Sequence, residues 1–145
     1  MKNPIKLWKD ICYRFAQQSK CQSRQVGCVI AQGNHFLGQG YNSAPIGSNC
    51  EDCVRCNNKA APGTQLDLAI CAHAEANAIG YCAHYGVRTE DADIYCTTGP
   101  CLECAKLIIA AGIKNVYYFE KYEPIETVEL VNKMFKNADV GFFKI

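Results

Sequence analysis

The chain has 145 residues, 49% of them hydrophobic and 20% charged, with a formal net charge of +1. That size suits a single domain, residues 1–145, whose core buries roughly 70% of the unfolded surface, and the near-neutral balance gives no basic footprint for long DNA or RNA. No apolar run reaches the roughly eighteen residues of a membrane helix and the N-terminal stretch lacks a signal-peptide apolar region, so no membrane partner and a cytoplasmic location (the host cytoplasm for a viral chain) are expected.

Asn3-Pro4 reads as a helix start, with Asn3 as cap, and Leu7, Trp8, Ile11, Cys12 and Phe15 then fall on one helical packing face. Val26–Ala31 and Phe36–Tyr41 read as strands joined by a turn at Gly33-Asn34. Residues 42–66 are rich in Asn, Pro, Gly and Cys and read as a long irregular, Cys-rich loop, which in a compact domain is functional or pinned. A helix follows from His73 to about His84, then a strand at Ala92–Thr97. Cys101–Ala111 reads as a helix stopped by Gly112, Asn115–Phe119 as a strand, Ile125–Asn137 as a helix with Val128, Val131 and Phe135 apolar, and Gly141–Lys144 as a last strand. Strands alternating with helices after a hairpin imply an α/β fold with a mixed sheet of about five strands covered by helices.

Eleven cysteines are many for this length. With no export signal and with C-x-x-C spacings, they read as thiolate ligands and small core residues in a reducing compartment. Cys12, Cys28, Cys82 and Cys96 fall in helix or strand patterns and read as core, while His35 and His84 lack neighbouring ligand types.

His73-Ala74-Glu75, with Pro100-Cys101-Leu102-Glu103-Cys104 downstream, carries the chemistry. His73, Cys101 and Cys104 supply three zinc-type ligands, and three protein ligands leave a fourth position where zinc activates water. Two cysteines with two residues between them face one metal from a helix's first turn, where free N–H groups and the helix dipole favour thiolates. Glu75 stands close enough to shuttle protons without ligating. A closed structural site with Cys71 as fourth ligand is the alternative; it leaves Glu75 and Pro100 without a role.

Cys50-Glu51-Asp52-Cys53-Val54-Arg55-Cys56 places three cysteines within seven residues. With Cys21 they make four thiolates, the ligand set of a closed structural zinc. Free thiols in a reducing cell are the alternative.

The pattern H-x-E…P-C-x-x-C is the known signature of zinc deaminases. "HAEANAI", "TTGPCLECAKLIIAAGIKNVYY" and "SKCQSRQVGCVIAQGNHFLGQGYNSAP", together spanning roughly residues 19–122, resemble the deoxycytidylate (dCMP) deaminase family. Free-nucleoside cytidine deaminases usually place Cys where His73 stands, which argues against them. The resemblance implies the cytidine-deaminase-like three-layer α/β/α sandwich, with the two ligand-bearing helices side by side. It implies hydrolytic deamination of dCMP to dUMP and ammonia by a zinc-activated water, supplying dUMP for thymidylate synthesis, with Glu75 moving the protons. It further implies a nucleotide contact from Asn42, a backbone N–H from Ala74 to the pyrimidine carbonyl, an approach by Tyr122, and phosphate contacts from Arg24 and Lys20. A turn-forming Asn before Pro45 is the alternative for Asn42, and a solvated surface is the alternative for Arg24, Lys20 and Tyr122.

Some members of the family carry a second zinc, with a Cys like Cys21. This chain departs from the bacterial pattern, which has wider cysteine spacing and a Cys where Ala69 stands; Cys71 is therefore the substitute ligand in the set Cys21, Cys50, Cys53 and Cys56. Ser43 stands where the family commonly has Gly. The family is usually homo-oligomeric, often hexameric, and many members are switched on by dCTP and off by dTTP. Two other functions stay open: deamination of another base or nucleotide (guanine, a riboflavin intermediate, a tRNA or DNA base), and a non-catalytic zinc-binding module on the same scaffold.

Overall fold

The strands of this chain are apolar on both faces, so their period-two alternation decides what each face of the sheet must bury. A computed structural model describes residues 4–61, 63–122 and 124–145. Its strands are β1 (Gly27–Gln32), β2 (His35–Tyr41), β3 (Asp93–Thr98), β4 (Asn115–Glu120) and β5 (Gly141–Lys144), and its helices are α1 (Pro4–Ala16), α2 (Val54–Asn57), α3 (Ala74–His84), α4 (Leu102–Ala110) and α5 (Ile125–Asn137). The strands form one sheet in the order β2-β1-β3-β4-β5. β1 runs antiparallel to β2 and β3, whereas β3, β4 and β5 are parallel neighbours. Parallel neighbours need crossovers, which α4 and α5 supply.

Cys28, Ile30, Ile94, Cys96 and Val116 point to one face of the sheet. There they pack with Ala78 and Cys82 of α3, Ile108 of α4, and Val131 and Phe135 of α5. Val29, Ala31, Tyr95 and Phe119 point to the other face and meet Trp8 and Cys12 of α1. One helix below and three above give the expected three-layer α/β/α sandwich with its mixed five-stranded sheet.

The element boundaries fall within a residue or so of those read from the sequence, with two corrections. Leu7 was expected on the packing face of α1 but is 52% exposed. The buried stripe is Trp8, Cys12 and Ala16, and Leu7 sits about 100° round the helix from Trp8, on the ridge where Ile11 and Phe15 are half-buried. The loop at 42–66 is not wholly irregular: it carries 3-10 turns at Cys50–Asp52 and Leu66–Leu68 as well as α2. The expected Asn3 cap lies outside the described residues.

β2 carries glycine at 38 and 40, both on the face toward α3. A Cβ at Gly40 would come within 2.2 Å of the Ala74 carbonyl oxygen and 2.4 Å of the Ala78 nitrogen, and one at Gly38 within 2.5 Å of Cys82 Sγ. The missing side chains let α3 lie directly on the strand, and α3 begins beside His73 and Glu75. Gly40→Ala is therefore expected to destabilise the fold by about 1–3 kcal/mol or more, because the obstacle is backbone. Gly80→Ala, on the same helix with nothing within 4 Å of its Cβ position, is expected to stabilise by about 0.5–1 kcal/mol. Urea unfolding midpoints of the two variants check this pair of opposite signs.

Candidate active site

Two helix starts meet at the end of the sheet. His73 is the N-cap of α3 and Cys101 the N-cap of α4, with Cys104 in the first turn of α4. His73 Nδ1 lies 3.3 Å from Cys101 Sγ and 3.4 Å from Cys104 Sγ. The edge between a nitrogen and a sulfur on a tetrahedral zinc is about 3.6 Å, from bond lengths of about 2.0–2.1 and 2.3 Å, so the triangle already has nearly the required size. One nitrogen and two sulfurs are also a zinc-type donor set.

The thiols are prepared unequally. A hydrogen bond from the Cys104 thiol, together with His73 and the Cys104 N–H, holds the Cys101 thiol down to about 4, although burial opposes this. The Cys104 N–H reaches Cys101 Sγ at 3.5 Å, the capping contact expected where a helix start favours a thiolate. Cys104 moves the other way, raised by the bond it gives Cys101 and then by burial.

Glu75 is 4% exposed, and burial pushes its carboxyl up to about 7 against the pull of its own backbone N–H and of His73. Beneath it lie Cys28 and Cys96, cross-strand partners on β1 and β3, with Cys28 Sγ donating to Cys96 Sγ at 3.1 Å. The two sulfurs and a Glu75 oxygen lie within 4.8 Å of one another. Burial raises both thiols, so the floor under Glu75 is neutral. The strand patterns identified both as core residues; their place under Glu75 has no signal in the sequence.

A cavity of about 280 Å³ opens over His73, Glu75 and Cys101. Asn42, Arg24 and Tyr122 line it, as expected for residues that face a ligand; Lys20 and Ala74 do not. Lys20 is exposed, and Ala74 is fully buried at the start of α3. Asn42 is 8% exposed, and its amide is engaged with the chain itself: Oδ1 accepts from Val26 N at 2.8 Å and Nδ2 donates to the Arg24 carbonyl at 2.7 Å. These partners lie far along the sequence, so Asn42 is not a local turn residue; it fixes the segment that carries Arg24. Buried Ser19 does the same from the other end, donating to the Asn42 carbonyl at 2.7 Å. Asn77 ties α3 to the end of β2 through the Tyr41 carbonyl at 2.8 Å and Ser43 Oγ at 3.1 Å. Sequence reasoning missed Ser19 and Asn77, because their partners lie 23 and 36 residues away and no local pattern marks them.

The second cysteine cluster gathers Cys21, Cys50, Cys53 and Cys56, and it includes Cys71. Cys50 Sγ and Cys71 Sγ are 3.6 Å apart. Burial and then contacts with Cys53 and Cys21 push Cys56 up to about 11; burial and then Cys50 push Cys71 up to about 12. Among the described residues, only the His73–Cys101–Cys104 and Cys28–Glu75–Cys96 groups bring three or more ligand atoms within 4.8 Å of one another.

The sequence pattern of the cytidine and deoxycytidylate deaminase zinc-binding region matches residues 2–120. A deoxycytidylate deaminase of Schizosaccharomyces pombe is 42% identical over 110 residues, which cover 74% of this chain and 34% of that relative, so the chain spans about a third of its length. A deoxycytidylate deaminase of Mycobacterium phage D29 is 38% identical over 109 residues, 71% of this chain and 84% of the phage protein. Among solved structures, the dCMP deaminase of cyanophage S-TIM5 in complex with dCMP and dUMP matches with a TM-score of 0.80 at 28% identity, over 100% of this chain and 99% of that one. The matched residues take in both halves of the His73, Cys101 and Cys104 triangle, and the chain belongs to the zinc-binding cytidine and deoxycytidylate deaminase family.

Proposed function

We propose that the chain is a single deaminase domain that hydrolyses dCMP to dUMP and ammonia, supplying dUMP for thymidylate synthesis. The observation that carries this reading is a buried carboxylate, Glu75, two residues from a ligand triangle of zinc dimensions and facing the same cavity. The substrate follows from the relatives named deoxycytidylate deaminase and from the cyanophage enzyme that holds dCMP and dUMP.

His73, Cys101 and Cys104 would hold the catalytic zinc. When bound, zinc lowers the pKa of water to about 7 and so supplies a nucleophile at neutral pH. Glu75 takes the proton of the attacking water as its oxygen bonds to C4 of the cytosine, places it on N3, and passes the second proton to the exocyclic amine, which leaves as ammonia. Burial raises the Glu75 carboxyl and the thiols below it add no charge, which suits Glu75 to take and return a proton. A backbone N–H from Ala74 to the pyrimidine carbonyl rests on the family resemblance alone, since Ala74 is buried outside the cavity lining. Asn42 holds Arg24 at the wall and keeps one N–H and one lone pair for a sugar hydroxyl. Arg24 and Tyr122 face the sugar-phosphate end.

A second, structural zinc in the cysteine-rich loop is supported by the gathering of Cys21, Cys50, Cys53 and Cys56, with Cys71 competing for a place. Homo-oligomerisation, the hexamer included, is supported by exposed apolar Ile46, Val54, Leu66 and Leu68 on that loop. Response to dCTP and dTTP rests on the family resemblance. A cytoplasmic location is supported by thiolate chemistry that an oxidising compartment would consume.

Ultraviolet-monitored assays of dCMP, deoxycytidine, dCTP and cytosine, with and without dCTP or dTTP, test the reading: turnover of dCMP is expected, and silence on all four in a zinc-loaded protein rejects it. Glu75→Gln is expected to keep its zinc while kcat falls by about 100-fold or more; metal analysis beside the assay separates this from a ligand role, in which zinc would be lost too. Cys53→Ser is expected to lower the melting temperature and the total zinc by more than it lowers active-site zinc. An unchanged melting temperature with unchanged total zinc would remove the structural site.

A further inference from the structure

The cavity wall contains a cation that the sequence reading did not single out. Arg55 lies between Cys53 and Cys56 and is 9% exposed, although arginine is a surface residue by habit. Its guanidinium is held by two backbone carbonyls of the same loop: Nε donates to Thr64 at 2.8 Å and Nη2 to Ala61 at 3.3 Å. Among the described residues no carboxylate pairs with it; the ion pairs there are Arg88–Glu90 and Lys106–Glu103. Nor is any nitrogen of Arg55 both sealed from solvent and unbonded, and Arg55 is part of the lining of the active-site cavity.

A buried guanidinium without a counter-ion calls for an anion, because its charge cannot be removed by deprotonation. The nearby cysteines are one candidate. However, Arg55 also lines the cavity that holds Arg24 and Glu75, which offers its guanidinium an anion from outside the loop. The lining of that cavity contains Arg24 and Arg55 against a single carboxylate, Glu75, which stands at the ligand triangle. Away from the triangle the cavity thus presents two arginines and no carboxylate, beside the thiols of Cys21, Cys53, Cys56 and Cys71.

We propose that Arg55 is a specificity-determining residue that binds the substrate's phosphate, its guanidinium fork pre-set by the Ala61 and Thr64 carbonyls, so that the cysteine-rich loop selects nucleotide over nucleoside. This rests on the dCMP reading above. Fixing Nε and Nη2 beforehand removes the rotamer freedom an arginine normally loses on binding a phosphate, and leaves the charge-assisted N–H groups aimed outward.

The test compares wild type, Arg55→Gln and Arg55→Lys for kcat and KM on dCMP, competitive inhibition by inorganic phosphate, binding of dUMP against deoxyuridine, melting temperature and zinc content. Arg55→Gln is expected to raise KM for dCMP and weaken dUMP and phosphate binding by about tenfold or more, with kcat within about threefold and deoxyuridine binding unchanged. Arg55→Lys, which keeps the charge without the fork, is expected to fall between. A KM within about twofold of wild type in Arg55→Gln, or equal losses for dUMP and deoxyuridine, overturns the proposal. So does a fall in melting temperature shared by both variants with kcat lost and KM unchanged, which would make Arg55 a loop brace. If the wild type does not turn over dCMP, the parent reading fails, and the dUMP-to-deoxyuridine binding ratio in the variants still decides the role of Arg55.

Discussion

Two helix starts 28 residues apart in sequence bring His73 within 3.4 Å of both Cys101 and Cys104, and the rest of the fold is arranged around that approach. The sheet secures it from two directions. α3 rests on β2 without side chains between them at Gly38 and Gly40, which fixes where His73 emerges. α4 follows β3 after only Gly99 and Pro100, so Cys101 is placed by the strand, and the Gly99 N–H bonds the Glu120 carbonyl at 2.9 Å to hold that short link against β4. β1 is antiparallel to β3, so its start also arrives here: Gly27 N donates to Thr97 Oγ1 at 3.1 Å. A crevice beyond the carboxyl ends of strands, where strand direction changes, is where α/β sheets place ligands.

Burying Glu75 in that crevice creates an electrostatic problem. Among the described residues it has no lysine or arginine partner, and an ionised carboxylate out of water is costly. Cys28 and Cys96 answer part of it: neutral thiols fill the floor without adding a charge that would lock the carboxylate ionised or protonated. A zinc held by His73, Cys101 and Cys104 would supply the remaining compensation as its double charge, which would link the protonation of Glu75 to the loading of its neighbours.

Much of this was legible in the sequence, because the legible parts are local. Strand alternation, helix periodicity and the spacing of His73, Cys101 and Cys104 depend on neighbours within a few residues. What was not legible depends on distant partners. The GYN stretch drew attention to Asn42, yet its amide is occupied with Arg24 and Val26, a pairing that no local pattern encodes. Arg55 carries no local signal of its burial, which the fold alone produces. Cys71, held in reserve as a substitute ligand, proves to be the close partner of Cys50. Leu7 obeyed helical periodicity and still faced solvent, since periodicity gives a direction and not the width of the surface waiting there.

The cysteine-rich loop is better understood as part of the site than as an attachment to it. Ser43 and Ala72 exchange both backbone hydrogen bonds, at 3.2 and 2.9 Å, so the long loop is pinched shut at its base. The residues immediately outside that pinch are Asn42 and His73: one fixes the segment bearing Arg24, the other is a corner of the triangle with Cys101 and Cys104. A long loop closed this way has a modest closure cost but many residues to order. Here the loop orders itself through sulfur contacts and the arginine bonded to its own carbonyls. Because the pinch is shared with the site, order gained in the loop is order gained at Asn42 and His73. Disorder would pass the same way, so whatever holds the five sulfurs together also sets the geometry in which Glu75 works.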